Sequence, residues 1–481
     1  MSDNLPANAN IRQLRIQAKE LLPTLPAGTQ LAEAQLLIAR QYGFDSWPKL
    51  VAKVETPALL KKLREALTDG DAPTVEKLLK SKPILRSHLN EPMFGFDTQP
   101  IIEASRHREA SKLLPILVRY GADPNIRSKW WAGGFSALDF ARGSTADLLL
   151  RLGAKFDVWS AAAHGRIDIL RELLANDPSA VNAPGGDGQR PLHVAADAKT
   201  VEFLISNGAD QEVRDVDHES TPIQYQINNS EVVRVLLSHG AKPDVFTAVV
   251  LDDVELLARI LADDPSASNA HVGQPPFKTT TSNGGHIYAY VLGPTKTPIQ
   301  VAVERKSHQV LEALQSQASP AHRLVAAAWA ENAELVRAIL RENPNPELGA
   351  DARAITEAAQ NGKTETVRLL LEAGFDPKTP GMDSGTALHV ACWFGHLEVV
   401  KLLVGRVPLD LPDANHGSVP LGWACHGAQW CRNANGNYPA VVETLIQAGA
   451  DPKAPANSAG TSMEKQAGER QDVIEVLRRN M

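Results

Sequence analysis

The chain has 481 residues, of which 43% are hydrophobic, and a formal net charge of −7 at pH 7. A nucleic-acid partner is not expected, because proteins that bind nucleic acids usually carry a basic face and the sequence has no basic stripe. No apolar run approaches the roughly 18 residues of a membrane-spanning helix and no signal-peptide pattern is present, so no membrane partner is expected. Three cysteines are too few to cross-link so long a chain, which favours a reducing, cytoplasmic location.

Residues 1–55 predict a small N-terminal helical module. Apolar residues recur at helical spacing in 11–22 and in 31–38, and the breaker at 23–28 separates these two helices. A third, short helix is expected to begin at Ser46, which suits the N-cap position. The side chains around these helices predict a miniature core, with a peptide-binding surface as the alternative. They are Tyr42, Phe44, Trp47 and Leu50.

Two markers recur along most of the remaining chain. The first is Thr-Ala-Leu-His-Val-Ala at Thr386, and shifted copies begin at Arg190, Thr221, Thr297 and Val419. The second is Gly-Ala-Asp or a near variant after an apolar run, as expected for a left-handed glycine that ends a helix. These glycines are Gly121, Gly153, Gly208, Gly240, Gly374 and Gly449. Together the markers resemble the ankyrin repeat, a unit of roughly 33 residues with a β-turn and two helices.

The resemblance implies an all-α fold, an ankyrin-repeat solenoid of helix-turn-helix units with β-turn fingers. Residues 56–481 should hold about 12 units, which share one continuous core. Two units are short, near 137–150 and 192–204, and residues 461–481 carry the charges expected of a C-terminal cap. The string 34–50 is similar to a helical segment found ahead of ankyrin arrays in some bacterial proteins, a similarity that implies no activity.

Two stretches are longer than the repeat requires. Residues 264–294 contain several glycines and the alternating run His286–Val291, which predicts a β-hairpin or an elongated finger. Residues 427–438 interrupt a late unit between its two helices. Because insertions in a solenoid lie on one face, often the binding face, both are expected to contribute to partner binding.

In the ankyrin family, exposed positions of the inner helix face a concave groove and usually carry specificity. Alignment on Gly395 and His396 places two aromatic residues in this groove. Counting one repeat length backward and forward along the chain adds further positions, so that the predicted groove residues form a stripe. The predicted groove residues are Trp329, Gln360, Trp393, Phe394, His426 and Trp430. Tryptophan is enriched at binding hot spots, although packing between repeats is the alternative. Trp130 and Trp131 predict either a second aromatic lip or a structural pair.

Three histidines have a structural explanation in the family. His193 and His389 belong to the tetrapeptide whose imidazole bonds the backbone of adjacent turns, and His396 is the usual turn histidine. The repeat does not explain His164, His286 and His426, which are therefore acid/base candidates. Cys425, His426 and Cys431 lack the spacing of a zinc site. No metal and no cofactor are expected.

The sequence thus predicts a cytoplasmic binding or scaffold protein that captures a protein or peptide partner in its groove. The alternative is an enzyme on the same face, with His286, Tyr288 or Tyr290 of the insertion opposed to His426. Its catalytic residues stay unknown, because no catalytic motif is present. A regulator within a stress or toxin–immunity pair is a third hypothesis, which rests on fold analogy alone.

Overall fold

A computed structural model describes residues 5–6, 9–281, 284–431 and 433–481. The described residues form helices and no β-strand, and only Val404 and Val407 make an isolated bridge. The predicted all-α class is therefore confirmed. The chain divides into two compact units, Met1–Asp217 and His218–Met481.

The first unit begins with a three-helix module and continues into the repeats. Its helices are α1 (Ile11–Leu21), α2 (Leu31–Gln41), α3 (Trp47–Asp69), α4 (Ala72–Ser81), α5 (Pro100–Arg106), α6 (Ala110–Arg119), α7 (Ala137–Phe140), α8 (Ser144–Arg151), α9 (Val158–Ala163), α10 (Ile167–Asn176) and α11 (Ala198–Ser206). The inner helix is a single turn at α7, and a 3₁₀ turn at Pro191–Val194 replaces it in a later unit. The prediction of two shortened units is confirmed.

The third helix differs from the prediction, because α3 has 23 residues and runs through Pro57. Its N-terminal half places Leu50 in the small core of the module, and its C-terminal half places Leu63 and Leu67 in the core of the first repeats. Packing at both ends holds the helix together across the proline. The predicted boundary at residue 55 therefore lies inside a helix.

The second unit contains the longer series of repeats. Its helices are α12 (Pro222–Tyr225), α13 (Ser230–Ser238), α14 (Val245–Leu251), α15 (Val254–Asp263), α16 (Tyr288–Val291), α17 (Pro298–Arg305), α18 (His308–Gln315), α19 (Pro320–Trp329), α20 (Ala333–Glu342), α21 (Ala354–Gln360), α22 (Thr364–Glu372), α23 (Ala387–Phe394), α24 (Leu397–Leu403), α25 (Pro420–Trp430), α26 (Tyr438–Gln447), α27 (Met463–Ala467) and α28 (Gln471–Arg479). Helices α21, α23, α25 and α27 pack on one another in succession, and α22, α24, α26 and α28 form a parallel second row. Residues 461–481, which the sequence predicts as a C-terminal cap, contain the further helix pair α27 and α28.

Glycines and asparagines tie successive repeats together at the turns. The glycines of the Gly-Ala-Asp marker all have positive φ, from 86° at Gly374 to 108° at Gly449, as predicted. Between repeats, the side chain of Asn125 donates to the carbonyl of Gly153 and accepts from the N–H of Lys155. Asn90 and Asn182 make the same pair of bonds to the next turn.

The predicted hairpin at 264–294 is wrong. The segment has a 3₁₀ turn at Pro265–Asn269 and the one-turn helix α16, and Ser282 and Asn283 lie outside the described residues. Tyr288 is buried against Phe246 and donates its hydroxyl to Asp244, so tertiary packing overrides the alternating pattern. The insertion at 427–438 is also smaller than predicted, because α25 continues to Trp430 and only a short loop precedes α26.

No helix among the described residues combines the length and the apolar character needed to cross a membrane.

Candidate functional site

A cavity of about 360 Å³ lies at the C-terminal end of the second unit. Its walls come from α23, α25 and α27 and from the turns that precede them. The lining residues are Met382, Asp383, Trp393, Asn415, His416, Ser418, Trp423, His426, Asn457, Ser458, Ala459 and Gln466. The cavity thus combines four aromatic side chains, two tryptophans and two histidines, with hydroxyl, amide and carboxylate groups.

The aromatic wall depends on a close approach of two inner helices. Gly427 of α25 lies against the backbone of Trp393 in α23, where an added Cβ would be 2.2 Å from the Trp393 carbonyl oxygen. This contact sets the Trp393 ring edge-on to the imidazole of His426, with 5.2 Å between ring centroids. Trp423 completes the wall at 6.2 Å from Trp393. Its Nε1–H donates to Oδ2 of Asp413 at 2.9 Å, which fixes the ring.

His426 is held in an environment that favours its neutral form. Burial lowers the pKa of its imidazole, and the nearby His416 lowers it further. A neutral imidazole presents one donor and one acceptor. The lining also contains the Asp383 carboxylate and a second imidazole, that of His416.

The structure brings together only part of the predicted groove stripe. Trp393 and His426 line the cavity, and Trp430, 66% exposed, lies 6.5 Å from His426. Phe394 is half-buried and stacks on His396. Gln360 instead lines a different cavity of about 610 Å³.

The prediction that Trp329 faces a ligand is wrong, because this side chain is only 4% exposed. Its Nε1–H donates to Oε1 of Glu304 at 2.6 Å. The ammonium group of Lys296 lies 4.3 Å from the ring centroid and also pairs with Glu304 and Glu357. Trp329 is thus part of a buried cation–π and ion-pair cluster, which is a packing role.

The residues of the enzyme alternative are not assembled around His426. His286 is buried, and its Nδ1 accepts from the N–H of Tyr288. Tyr288 is fully buried, and its burial and its contact with Asp244 hold its pKa well above the ordinary value. Tyr290 is exposed but lines the cavity that contains Gln360.

The remaining unexplained histidine has a structural role. His164 ends α9, and its Nε2 lies 2.9 Å from the carbonyl oxygen of Leu138 in the preceding repeat. His396 makes a similar bond to the carbonyl oxygen of Gln360 at 3.0 Å. The two histidines occupy different positions of the repeat, because His164 follows the inner helix α9 and His396 precedes the outer helix α24. The contact with Leu138 gives His164 a structural role between repeats.

The cysteines do not form a metal half-site in the part of the chain that the structure describes. Cys392 and Cys425 are buried, and burial raises the pKa of the Cys425 thiol to about 12 and that of Cys392 well above its ordinary value. Neither group of possible metal ligands among the described residues contains a cysteine.

A second group of aromatic side chains lies in the first unit. The Trp130 ring is 4.9 Å from Phe96 and 5.9 Å from Trp131, and its Nε1–H donates to Oδ1 of Asp187. Trp130 is half-buried, whereas Trp131 is 51% exposed. The pair thus has one structural member and one surface member.

A family model described as ankyrin repeats (3 copies) matches residues 158–247 and again residues 324–413. The chain is 33% identical over 99 residues to palmitoyltransferase ZDHHC13 of Mus musculus, which covers 20% of this chain and 14% of that protein. It is 30% identical over 137 residues to ankyrin repeat and SAM domain-containing protein 6 of Mus musculus, covering 25% and 16%. It is 35% identical over 115 residues to probable E3 ubiquitin-protein ligase XBOS32 of Oryza sativa subsp. japonica, covering 23% of each.

The chain therefore spans less than a quarter of the length of each of these relatives. The matched repeats agree with the helix pairs, the positive-φ glycines and the tetrapeptide histidines of the structure. Ankyrin repeats are protein-interaction modules, and this chain contains ankyrin repeats.

Proposed function

We propose that this protein is a cytoplasmic binding protein that captures a protein or peptide partner at the cavity beside Trp393. The observation that carries the proposal is the aromatic wall of Trp393, Trp423 and His426 around a cavity of about 360 Å³, with the exposed Trp430 next to it. Tryptophan side chains offer a large apolar area at little cost in rotamer entropy, and they are enriched among binding hot spots.

The chemistry of the cavity favours a basic side chain on the partner. A cation is attracted to the faces of aromatic rings, and the Asp383 carboxylate, which also lines the cavity, supplies a negative charge. The net charge of −7 on the whole chain also favours the approach of a basic partner. We therefore propose that an extended segment inserts a lysine or arginine between the rings while its neighbours contact Trp430.

Sequence features support the proposed class of partner, the cytoplasmic location and the bacterial origin. The acidic balance and the absence of a basic stripe argue against nucleic acid. Three free cysteines, two of them buried, are compatible with a reducing cytoplasm. The similarity of residues 34–50 to segments of bacterial ankyrin proteins favours a bacterial origin.

The test uses synthetic peptide sets that differ only in one central residue, which is basic, aromatic or acidic. Binding to the full chain is measured by fluorescence anisotropy. We expect the basic set to bind and Trp393→Ala to weaken it by about 2–4 kcal/mol, as loss of a central aromatic hot spot does. The Trp393 carbonyl, which accepts from the Tyr438 hydroxyl, survives this change. Trp131→Ala, on an exposed tryptophan of the first unit, is the matched control.

Two results would contradict the proposal: equal affinity of the parent and Trp393→Ala, or preferential binding of the acidic set. The enzyme alternative gives a different pattern. The cavity volume falls within the range of about 300–1,000 Å³ typical of small-molecule sites. If it is an active site, His426→Gln removes turnover and leaves binding intact, because loss of a general base acts on the transition state.

A further inference from the structure

Three buried titratable side chains meet in the second unit, away from the cavity beside Trp393. They are His271, which follows the 3₁₀ turn Pro265–Asn269, His322 in the first turn of α19, and Asp351 in the 3₁₀ turn Gly349–Arg353. Nδ1 of His322 lies 2.5 Å from Oδ2 of Asp351, and Nε2 of His271 lies 3.2 Å from Oδ1. The two imidazole rings pack edge to face at 4.8 Å.

The repeat itself provides a reference for His322. The sequence Ser319-Pro320-Ala321-His322 occupies the tetrapeptide position of the unit, as Thr386 to His389 does later in the chain. In the reference unit, His389 uses Nδ1 within its own turn and Nε2 for the carbonyl oxygen of Ser418. His322 likewise contacts Ser319 through Nδ1, but it meets a carboxylate in the following repeat instead of a carbonyl.

The two histidines also differ in the hydrogen bonding of their second ring nitrogen, Nε2. Nε2 of His322 is buried and has no hydrogen-bond partner among the described residues. A buried polar atom without a partner costs free energy comparable to its desolvation. The reference histidine has no such orphan, so the departure from the repeat pattern needs an explanation.

His271 raises a second difficulty. Its Nδ1 lies 3.1 Å from the carbonyl oxygen of Asn269, which can only accept, so Nδ1 carries the proton. In the neutral imidazole, Nε2 then has a lone pair, and it faces a carboxylate oxygen of Asp351. Two acceptors at this distance require a cation between them, either a proton or a metal ion. A backbone carbonyl that fixes the tautomer in this way is the usual outer partner of a metal-binding histidine.

We propose that His271, His322 and Asp351 bind a divalent metal ion of the zinc class. The ligand atoms that the three side chains offer lie within 4.8 Å of one another, and all three residues are buried. Imidazole nitrogen and carboxylate oxygen are ordinary zinc ligands, and three protein ligands leave the fourth tetrahedral position for water or another donor.

The surroundings of the cluster fit a metal site. His271 lines two cavities, of about 610 and 440 Å³, which supply an entry path. The ion would join the loop after α15, the start of α19 and the turn before α21, and so fix the irregular insertion to the regular repeats.

The test is a cobalt titration of the full chain without an affinity tag, carried out after removal of metals by a chelator. The chain carries Cys431→Ser, because Cys431 is the cysteine that is not fully buried. We expect a visible d–d absorption that saturates at one equivalent of Co²⁺ and is displaced by Zn²⁺. Asp351→Asn and His322→Gln should each weaken binding by more than about 100-fold, beyond the loss caused by removing an outer partner.

The matched control is His389→Gln, which changes the same tetrapeptide position and should bind Co²⁺ as the parent does. Glutamine already occupies this position at Gln224 and Gln300, where its side chain accepts the backbone N–H of the first tetrapeptide residue. X-ray absorption of the zinc-loaded parent should give a shell of nitrogen and oxygen only. Three results would overturn the proposal: no saturable absorption in the parent, a sulfur ligand, or variants that fold and bind Co²⁺ like the parent. Each would leave a His–Asp–His cluster held together by a proton.

Discussion

The imidazole of His389 joins its own repeat to the next, because its Nε2 lies 3.1 Å from the carbonyl oxygen of Ser418. Its Nδ1 accepts the backbone N–H of Thr386, so the proton is on Nε2 and the ring bridges the two turns in its neutral form. A second proton can be added only by giving up the Thr386 bond. This one contact makes the stability of the repeats dependent on pH.

We expect stability to fall as the pH is lowered through the range in which unfolded histidine titrates. Burial lowers the pKa of His389 from 6.5 to about 4. Between these values the unfolded state binds more protons than the folded state, so the free energy of unfolding is highest above pH 6.5 and decreases toward pH 4. His389→Gln should reduce this decrease in thermal melts at pH 7, 5 and 4. His308→Gln, on an exposed ring of α18, should not; equal pH profiles for both variants would contradict the assignment.

The sequence predicts the repeat features that are local. The marker glycines and the tetrapeptide histidines depend on turn geometry within a few residues, and they lie as expected. Trp393 and His426 also share one cavity, because the repeats between Gly395 and the cap are regular enough for counting. Burial of Trp329 could not be derived in this way. It depends on Lys296 and Glu304, which belong to the preceding unit and follow an insertion of irregular length.

Contacts between residues far apart in the sequence could not be predicted either. His271 and Asp351 are 80 residues apart, and their contact depends on how the insertion folds back. The role of Asp413, which fixes the ring of Trp423, is similarly invisible in a period count. One usable signal was present. Ser319-Pro320-Ala321-His322 matches the tetrapeptide, so His322 could have been placed at a turn.

Replacing single residues of α24 by alanine tests which face of this helix is buried. Repeat counting predicts Leu402 as the buried residue and Lys401 as the exposed one, but Leu403 is fully buried and Leu402 only half-buried. Leu403→Ala should therefore lower the free energy of unfolding by about 2–5 kcal/mol, and Leu402→Ala by less. Lys401→Ala loses only an exposed pair with Glu398 and should change stability little. Urea unfolding of the three variants checks this order; a greater loss for Leu402→Ala would mean that the helix is rotated.

Replacement of Trp329 should damage the fold rather than binding. Trp329→Ala removes a buried ring and the donor to Glu304, and it leaves Lys296 without its aromatic neighbour. A loss of about 3–5 kcal/mol is typical of such truncations. Folded Trp329→Ala protein should still bind the basic peptides with parental affinity. Thermal melts and anisotropy on the same samples separate the two effects, and a stable variant with weakened binding would restore the predicted stripe.

Truncation at the N-terminus tests how far the module supports the repeats. A chain of residues 46–481 keeps the whole of α3 with its Ser46 cap, whereas residues 56–481 start in the middle of this helix and lose Glu55, the partner of Lys82. Because repeats depend mainly on their nearest neighbours, both chains should keep the later repeats folded. The shorter chain should fray at α3, since a helix that loses its cap and first turns is less stable.

Hydrogen exchange is the measurement that distinguishes these outcomes. In the chain of residues 56–481, we expect faster exchange in the remaining part of α3 and unchanged protection in α23 and α24. The chain of residues 46–481 serves as the control and should match the chain of residues 1–481 from α4 onward. Loss of protection in α23, or loss of helical circular dichroism well beyond the deleted helices, would mean that the module stabilises the array as a whole. The prediction rests on the separate cores of the two regions, which contain Leu50 in the module and Leu403 in the late repeats.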